Sequence, residues 1–545
     1  MGDAGAAEGL GCVKCLATEG DNLGVGAANE DVDDLLVFGS SPHFSSSPSS
    51  FYLSSSILLS FASFPSCFVF VVVWNSSASI SVAPCLKGPH EEATCLLRLH
   101  LLLVLIVAVA VEGNGSGDGY CNHKSSLSPR PHSVTITEFG AVGDGVTLNT
   151  VAFQNAVFYL RSFADKGGAQ LYVPKGRWLT GSFNLTSHLT LFLNKDAIII
   201  GSQDSSQWPI VDPLPSYGQG LDLPGARHRS LINGYNLTDV VITGDNGTID
   251  GQGSVWWDWF NSHNLNNSRP HLLELVSSSN IVISNLTFLN PPAWSIHPVY
   301  SSNVTIQNIS IQAASDSPYT NGIVPDSCSN VCIKDCSLSV GYDAIALKSG
   351  WDNYGISFGL PSSHIQITNV HLQASLGSAL AFGSEMSGGI SDVQVEHLHV
   401  HNSLTAIKFK TTRGRGGFIK DIAISDMEME DVQEAFVFTG HCGGHPDDQY
   451  DSDALPIIKR VTIKNVVGSN ISIAGVLSGI DQDPFTAICL ANINLSMTSQ
   501  LSNPWTCSNV FGFSDSVFPQ PCSDLNTNSS LLCFSLDNSD ALAEI

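Results

Sequence analysis

The stretch Pro318–Gly350, PYTNGIVPDSCSNVCIKDCSLSVGYDAIALKSG, places Asp343 where a carboxylate could handle a proton. Asn321 and Tyr342 stand at two nearby positions where a second and a third carboxylate would serve the same chemistry. Downstream, KFKTTRGR supplies Lys408, Lys410, Arg413 and Arg415, and DAIALKSG supplies Lys348. A carboxylate near several cations suits an anionic ligand. The chain as a whole does not suit a polyanion such as nucleic acid: its formal net charge is −26, and phosphate binding needs a cationic surface. A small basic cleft on an acidic protein is compatible with both observations.

Such residues must be positioned by a scaffold, and the sequence repeats. Eight segments share one pattern: NIVISNLTF from Asn280, NVTIQNISI from Asn303, NVCIKDCSL from Asn330, HIQITNVHL from His364, DVQVEHLHV from Asp392, DIAISDMEM from Asp421, RVTIKNVVG from Arg460 and AICLANINL from Ala487. Apolar residues alternate on either side of a corner residue that is usually Asn or Asp. Alternation means half-buried strands, and Asn tolerates the left-handed backbone of a sharp corner. The spacing of about 23 to 39 residues is that of one coil of a parallel β-solenoid. A second strand set follows: NGIV from Asn321, DAIALK from Asp343, SALAFG from Ser378, TAIKFK from Thr405, EAFVFT from Glu434 and IAGVLS from Ile473. Stacked in register, it puts Asn321, Tyr342–Asp343 and Ser378 on consecutive coils, about 4.8 Å apart, with Lys408 and Lys410 on one face of the next. Val151–Phe163 has helical spacing and is placed to cap the first coil.

At this point the chain resembles glycoside hydrolase family 28, plant-type polygalacturonases of the pectin lyase-like β-helix superfamily. The resemblance rests on FGAVGDG at 139–145, IDGQG at 249–253, NGIVPDSC at 321–328, DAIALKSG at 343–350, FGSEMSGG at 382–389 and KFKTTRGRGG at 408–417, with GHCGGHPDD at 440–448 resembling a plant subgroup. It implies an all-β, single-stranded right-handed parallel β-helix with an N-terminal helical cap. It also implies inverting hydrolysis of pectic polysaccharide by a monomer without cofactor, metal or nucleic acid. Inversion needs one carboxylic acid to protonate the leaving oxygen and carboxylates to hold and activate water. Carried over by position, the family's N-T-D is Tyr319-Thr320-Asn321, its D-D pair is Tyr342-Asp343, its His is Ser378, and its R-I-K is Lys408-Phe409-Lys410. Asp343 is retained as a water ligand, while Asn321 cannot accept a proton and Tyr342 is a poor acid near pH 5. Lys348, Lys408, Lys410, Arg413 and Arg415 read as a basic lining for an acidic sugar. A changed mechanism could recruit Asp326 or Glu385; Asp326 reads rather as a structural turn residue, Glu385 as a residue at the sheet's end where substrate would pass, and His297 fits the cleft or the core equally. The expectation is a weakened polygalacturonase-like hydrolase, with a catalytically impaired wall protein that binds polygalacturonate as the alternative. A lyase fits less well, because no calcium-binding carboxylate cluster stands near the lysines.

The flanks read differently. Residues 1–95 are Ser-rich and without clear periodicity, which suggests a disordered or non-native extension. Leu101–Val111 resembles a signal-peptide core within 96–115; a membrane anchor is the lesser alternative. The solenoid is expected over 116–525 and a tail over 526–545. Ten N-x-S/T sequons and nine cysteines beyond Gly115 suit a secreted, extracellular glycoprotein of the cell wall with several disulfides. A metal site at Cys328, Cys332 and Cys336 fits less well than disulfide or buried-thiol roles.

Overall fold

The computed structural model describes residues 57–64, 67–74 and 77–82 as backbone, and residues 121, 129–498 and 503–525 in full. The chain divides into two compact units: Ala17–Gly117, and Met1–Leu16 with Asp118–Ile545. In the first, Ile57–Phe64, Cys67–Trp74 and Ser77–Val82 pair as an antiparallel sheet. FVFVVVW, rich in β-branched and aromatic residues, carries strand propensity without alternation. The signal-like segment 101–111 and the tail 526–545 lie outside the described residues.

The second unit is a stack of parallel strands. Ser279–Leu289 pairs with Ser302–Gln312, which pairs with Ser329–Val340, then with Ser362–Ala374, and onward through Ile390–Lys410, Phe418–Thr439, Ile457–Ser478 and Phe485–Met497. Both corner residues of all eight repeat segments have positive φ, from Asn492 at 51° to Asp421 at 58°. Asparagines on neighbouring coils bond each other there: Asn308 Nδ2 donates to Asn285 Oδ1 at 2.7 Å and Asn303 Nδ2 to Asn280 Oδ1 at 3.1 Å. The alternation sends Ile, Val and Leu inward to a continuous core, within which Phe382, Phe409 and Phe438 stack at 4.4 and 4.3 Å.

The expected cap is the helix Thr150–Leu160, which buries Ala152, Phe153, Ala156, Val157 and Leu160. Cys121 is bonded to Cys332 and Cys507 to Cys522, so no Cys328/Cys332/Cys336 metal site exists. Cys328 and Cys336 are buried thiols, and burial pushes each up to about 12.

Candidate active site

The second strand set forms in the expected register. Ile323 pairs with Ile345, Ile345 with Leu380, and Leu380 with Ile407. Two residues earlier on each coil this aligns Asn321, Asp343, Ser378 and Thr405. Asp343 is 1% exposed and its partners come from three coils. Lys410 Nζ donates to Oδ2 at 2.6 Å, the Ser378 backbone N–H donates to Oδ1 at 2.9 Å, and the Asp343 N–H donates to Asn321 Oδ1 at 3.2 Å. Both carboxylate oxygens are therefore engaged.

Tyr342 lies beside this ion pair. Lys410 Nζ is 5.4 Å from its ring centre and the Tyr319 ring is 4.9 Å away. Burial pushes the Tyr342 hydroxyl well above its ordinary value of 10.0, and the neighbouring Asp343 pushes it further. Tyr342 therefore holds its proton more tightly than a free tyrosine does.

The basic residues divide. Lys408 and Lys410 alternate on the outward face around Phe409, which is in the core. Lys348 pairs with Glu385, its Nζ 5.5 Å from the Trp294 ring centre. Burial pushes Glu385 up, but Lys348 and Arg415 outweigh it and hold the carboxylate well below its ordinary range. Arg413 is partly exposed and donates to Gln482. Arg415 departs from the expected lining. It is fully buried, bonded to Asp352 and to the carbonyls of Ser384 and Gly444, each at 2.8 Å. The Gly-rich turn Arg413–Gly417 ends the alternation that orients the two lysines, so Arg415 turns inward and braces the 441–455 loop. His445 Nδ1 completes that brace at 2.6 Å from Asp352 Oδ2.

On the outward face of the preceding coils runs a buried charged network. Arg227 Nη1 donates to both oxygens of Glu274 at 2.7 and 2.8 Å. His297 places Nδ1 3.1 Å from Glu274 and Nε2 3.5 Å from Asp326, and Tyr217 donates to Asp326. Burial pulls His297 down, but Asp326 and Glu274 outweigh it and raise it above 6.5. Glu274 is also pushed up by burial, and Arg227 and the histidines hold it far below 4.5. His271, Glu274 and His297 bring ligand atoms within 4.8 Å of one another, yet Arg227 already occupies both Glu274 oxygens, which leaves the cluster unsuited to a cation. His297 thus belongs to the buried floor. Asp326 is the structural residue the sequence suggested, through side-chain bonds rather than a turn alone. Arg227 and Tyr217 come from a long connection with no periodic signal and are not readable from sequence. A groove of about 800 Å³ lies elsewhere, lined by Arg130, Asp239, Asn303 and Cys332; Arg130 and Asp239 are paired there at 2.7 Å, and it holds none of the residues above.

The chain is thus a parallel β-helix that sets a buried aspartate and two lysines on the same edge of one sheet. Residues 169–517 match the family described as Glycosyl hydrolases family 28, and the chain belongs to that family of glycoside hydrolases. A probable polygalacturonase of Vitis vinifera is 51% identical over 402 residues, covering 74% of this chain and 82% of its own. Polygalacturonase-2 of Solanum lycopersicum is 27% identical over 413 residues, covering 72% and 81%. Among solved structures, an exopolygalacturonase of Thermotoga maritima superposes with TM-score 0.60 at 26% identity, over 70% of this chain and 92% of its own. A polygalacturonase of Erwinia carotovora has the same fold, with TM-score 0.55 at 20% identity over 71% and 98%.

Proposed function

We propose that this protein takes the galacturonan of pectin into the cleft at Asp343 and hydrolyses it by inversion, at a rate far below that of a site with three carboxylates. The family and its polygalacturonase relatives support the substrate and the reaction class. One observation carries the weakening. Of the three positions that inversion requires, Asp343 alone is a carboxylate, and both its oxygens are engaged by Lys410 and the Ser378 N–H. Each missing acid or base role typically costs about 10²–10⁴ in rate, and losses within one catalytic unit do not simply multiply.

The same substitutions support retention of substrate. Asn321 and Tyr342 leave the site with at least one fewer negative charge than aspartates there would, beside Lys348, Lys408 and Lys410. A polyuronate is attracted more strongly to such a cleft. A binding role in the wall is therefore the second reading, and the sequons and disulfides support export.

The test is a reducing-sugar assay on polygalacturonate with the parent and with Asn321→Asp/Tyr342→Asp. Little parental activity and a gain of about 10²-fold or more on reversion is the expected result. Strong parental activity that vanishes in Asp343→Asn would overturn the weakening. Equal inactivity of parent and revertant would overturn the assignment of the loss to these two positions and direct attention to Ser378.

A further inference from the structure

The outward face of the sheet is sealed through the coil that follows Asp343 and opens from Lys408 onward. One row of outward residues crosses the coils in register: Glu274, His297, Val324, Ala346, Ala381, Lys408, Val437, Val476 and Thr506. The first five are fully buried. Lys408 is the first to meet solvent; Val437 is 5% exposed, Val476 is half-buried and Thr506 is exposed. The row two residues further along repeats the gradient: Asp326, Lys348, Lys410 and Thr439 are buried, Ser478 is half-buried and Ser508 is exposed.

The seal on the early coils is made by the 212–229 segment. Leu221 and Trp294 pack on Val324, Ala346 and Ala381, where a sugar chain passing through an open trough would lie. Tyr217 and Leu214 pack with Val299 and Trp351. The segment is bolted down by charge: Arg227 on Glu274, Asp222 on Arg269 at 3.0 Å, and Tyr217 on Asp326. It also meets the loop braced by Arg415. Gln219 Nε2 donates to the Pro446 carbonyl at 3.0 Å, and Trp351 Nε1 donates to the Gly444 carbonyl at 3.0 Å. Beside this roof sit Lys348 and Glu385, whose side chains keep 7% and 15% exposure. They offer a donor and an acceptor at the blind end.

The geometry points to a dead-end cleft: the protein takes the terminus of a uronic-acid chain, seating its last rings between the blind end at Lys348–Glu385 and the opening at Lys408, and does not grip chain interiors. The inference rests on the proposed galacturonan site. A segment held by three side-chain ion or hydrogen bonds and an apolar contact is a fixed wall rather than a lid, so a passing chain cannot displace it without exposing paired buried charges.

The experiment is calorimetric titration of the full chain with galacturonan fractions of defined length. Its readout is binding, so it stands even if turnover is nil. A terminus site gives one protein bound per chain at every length and a per-chain affinity that stops rising after a few rings. Blocking the recognised end must weaken it: of two forms of one short oligomer, one reduced at the reducing end and one 4,5-unsaturated at the other, one loses about tenfold or more in affinity and the other is unchanged. Stoichiometry that grows with chain length, or indifference to both end modifications, would overturn the dead-end cleft while leaving the galacturonan site intact. No binding at any length would overturn the galacturonan site itself.

Discussion

Asp343 and Lys410 meet at 2.6 Å with side chains 1% and 5% exposed, so each is the other's buried counter-ion. Truncating one partner of a buried pair leaves an uncompensated ion, at a typical cost of about 3–5 kcal/mol. Lys410→Ala is therefore expected to destabilise the fold by that amount in denaturant unfolding. Adding Asp343→Asn to that variant should recover most of the loss, because the amide needs no counter-ion. A double variant no more stable than Lys410→Ala alone would show that Lys410 acts through packing of its stem. The members of this pair are readable in the sequence, since both lie on alternating strands whose register follows from the repeat. Arg415–Asp352 and Lys348–Glu385 are not readable as pairs. Asp352 opens the helix Asp352–Phe358 and Glu385 lies in a loop beyond a strand end, and alternation determines the path of neither.

At the scale of one coil, the corner residues do work that the apolar pattern cannot. Asn308 has φ 52° and donates across coils to Asn285 Oδ1 at 2.7 Å. A residue with a Cβ but no polar side chain pays roughly 1–2 kcal/mol for left-handed backbone and loses a bond of about 1 kcal/mol. Asn308→Ala should thus cost about 2 kcal/mol and Asn308→Gly less, because glycine adopts positive φ freely. A larger loss for glycine than for alanine in equilibrium unfolding would contradict this account. The corners are legible because Asn and Asp recur at a fixed offset from the apolar pair. At Arg460 and Ala487 the residue type gives no such signal, and positive φ, 55° and 54°, is imposed there by the coils on either side. The cap helix is legible for the opposite reason, its apolar spacing breaking from two to a helical period. The 212–229 roof has neither period, which is why the sequence shows the residues borne on the repeat and leaves the roof over them unseen.

At the scale of the whole molecule, one buried charged group has members that titrate in opposite senses. Arg227, Glu274, His271, His297, Asp326 and Tyr217 form one buried group that joins the roof to the sheet. Burial pulls His297 down, yet Asp326 and Glu274 raise it above 6.5. The folded protein therefore keeps a proton that the unfolded chain releases, and this contribution is complete below pH 6.5 and fades as pH rises through the folded value. Glu274 is pushed up by burial and held far below 4.5 by Arg227 and the histidines. Its contribution is complete above pH 4.5 and fades as pH falls toward the folded value. His271 works the other way: burial and the neighbouring His297 push it well below 6.5, so the unfolded chain takes up a proton there that the folded one refuses, and stability falls as pH drops below 6.5. Together the three groups predict a stability maximum near pH 6.5 and a Tm that declines from pH 6.5 to 8. In His297→Gln the alkaline decline should flatten, whatever the absolute Tm of that variant, while the acid limb set by Glu274 and His271 persists. A wild-type Tm that stays level from pH 6.5 to 8, or a decline of equal slope in His297→Gln, would show that the imidazolium does not hold the roof to the sheet.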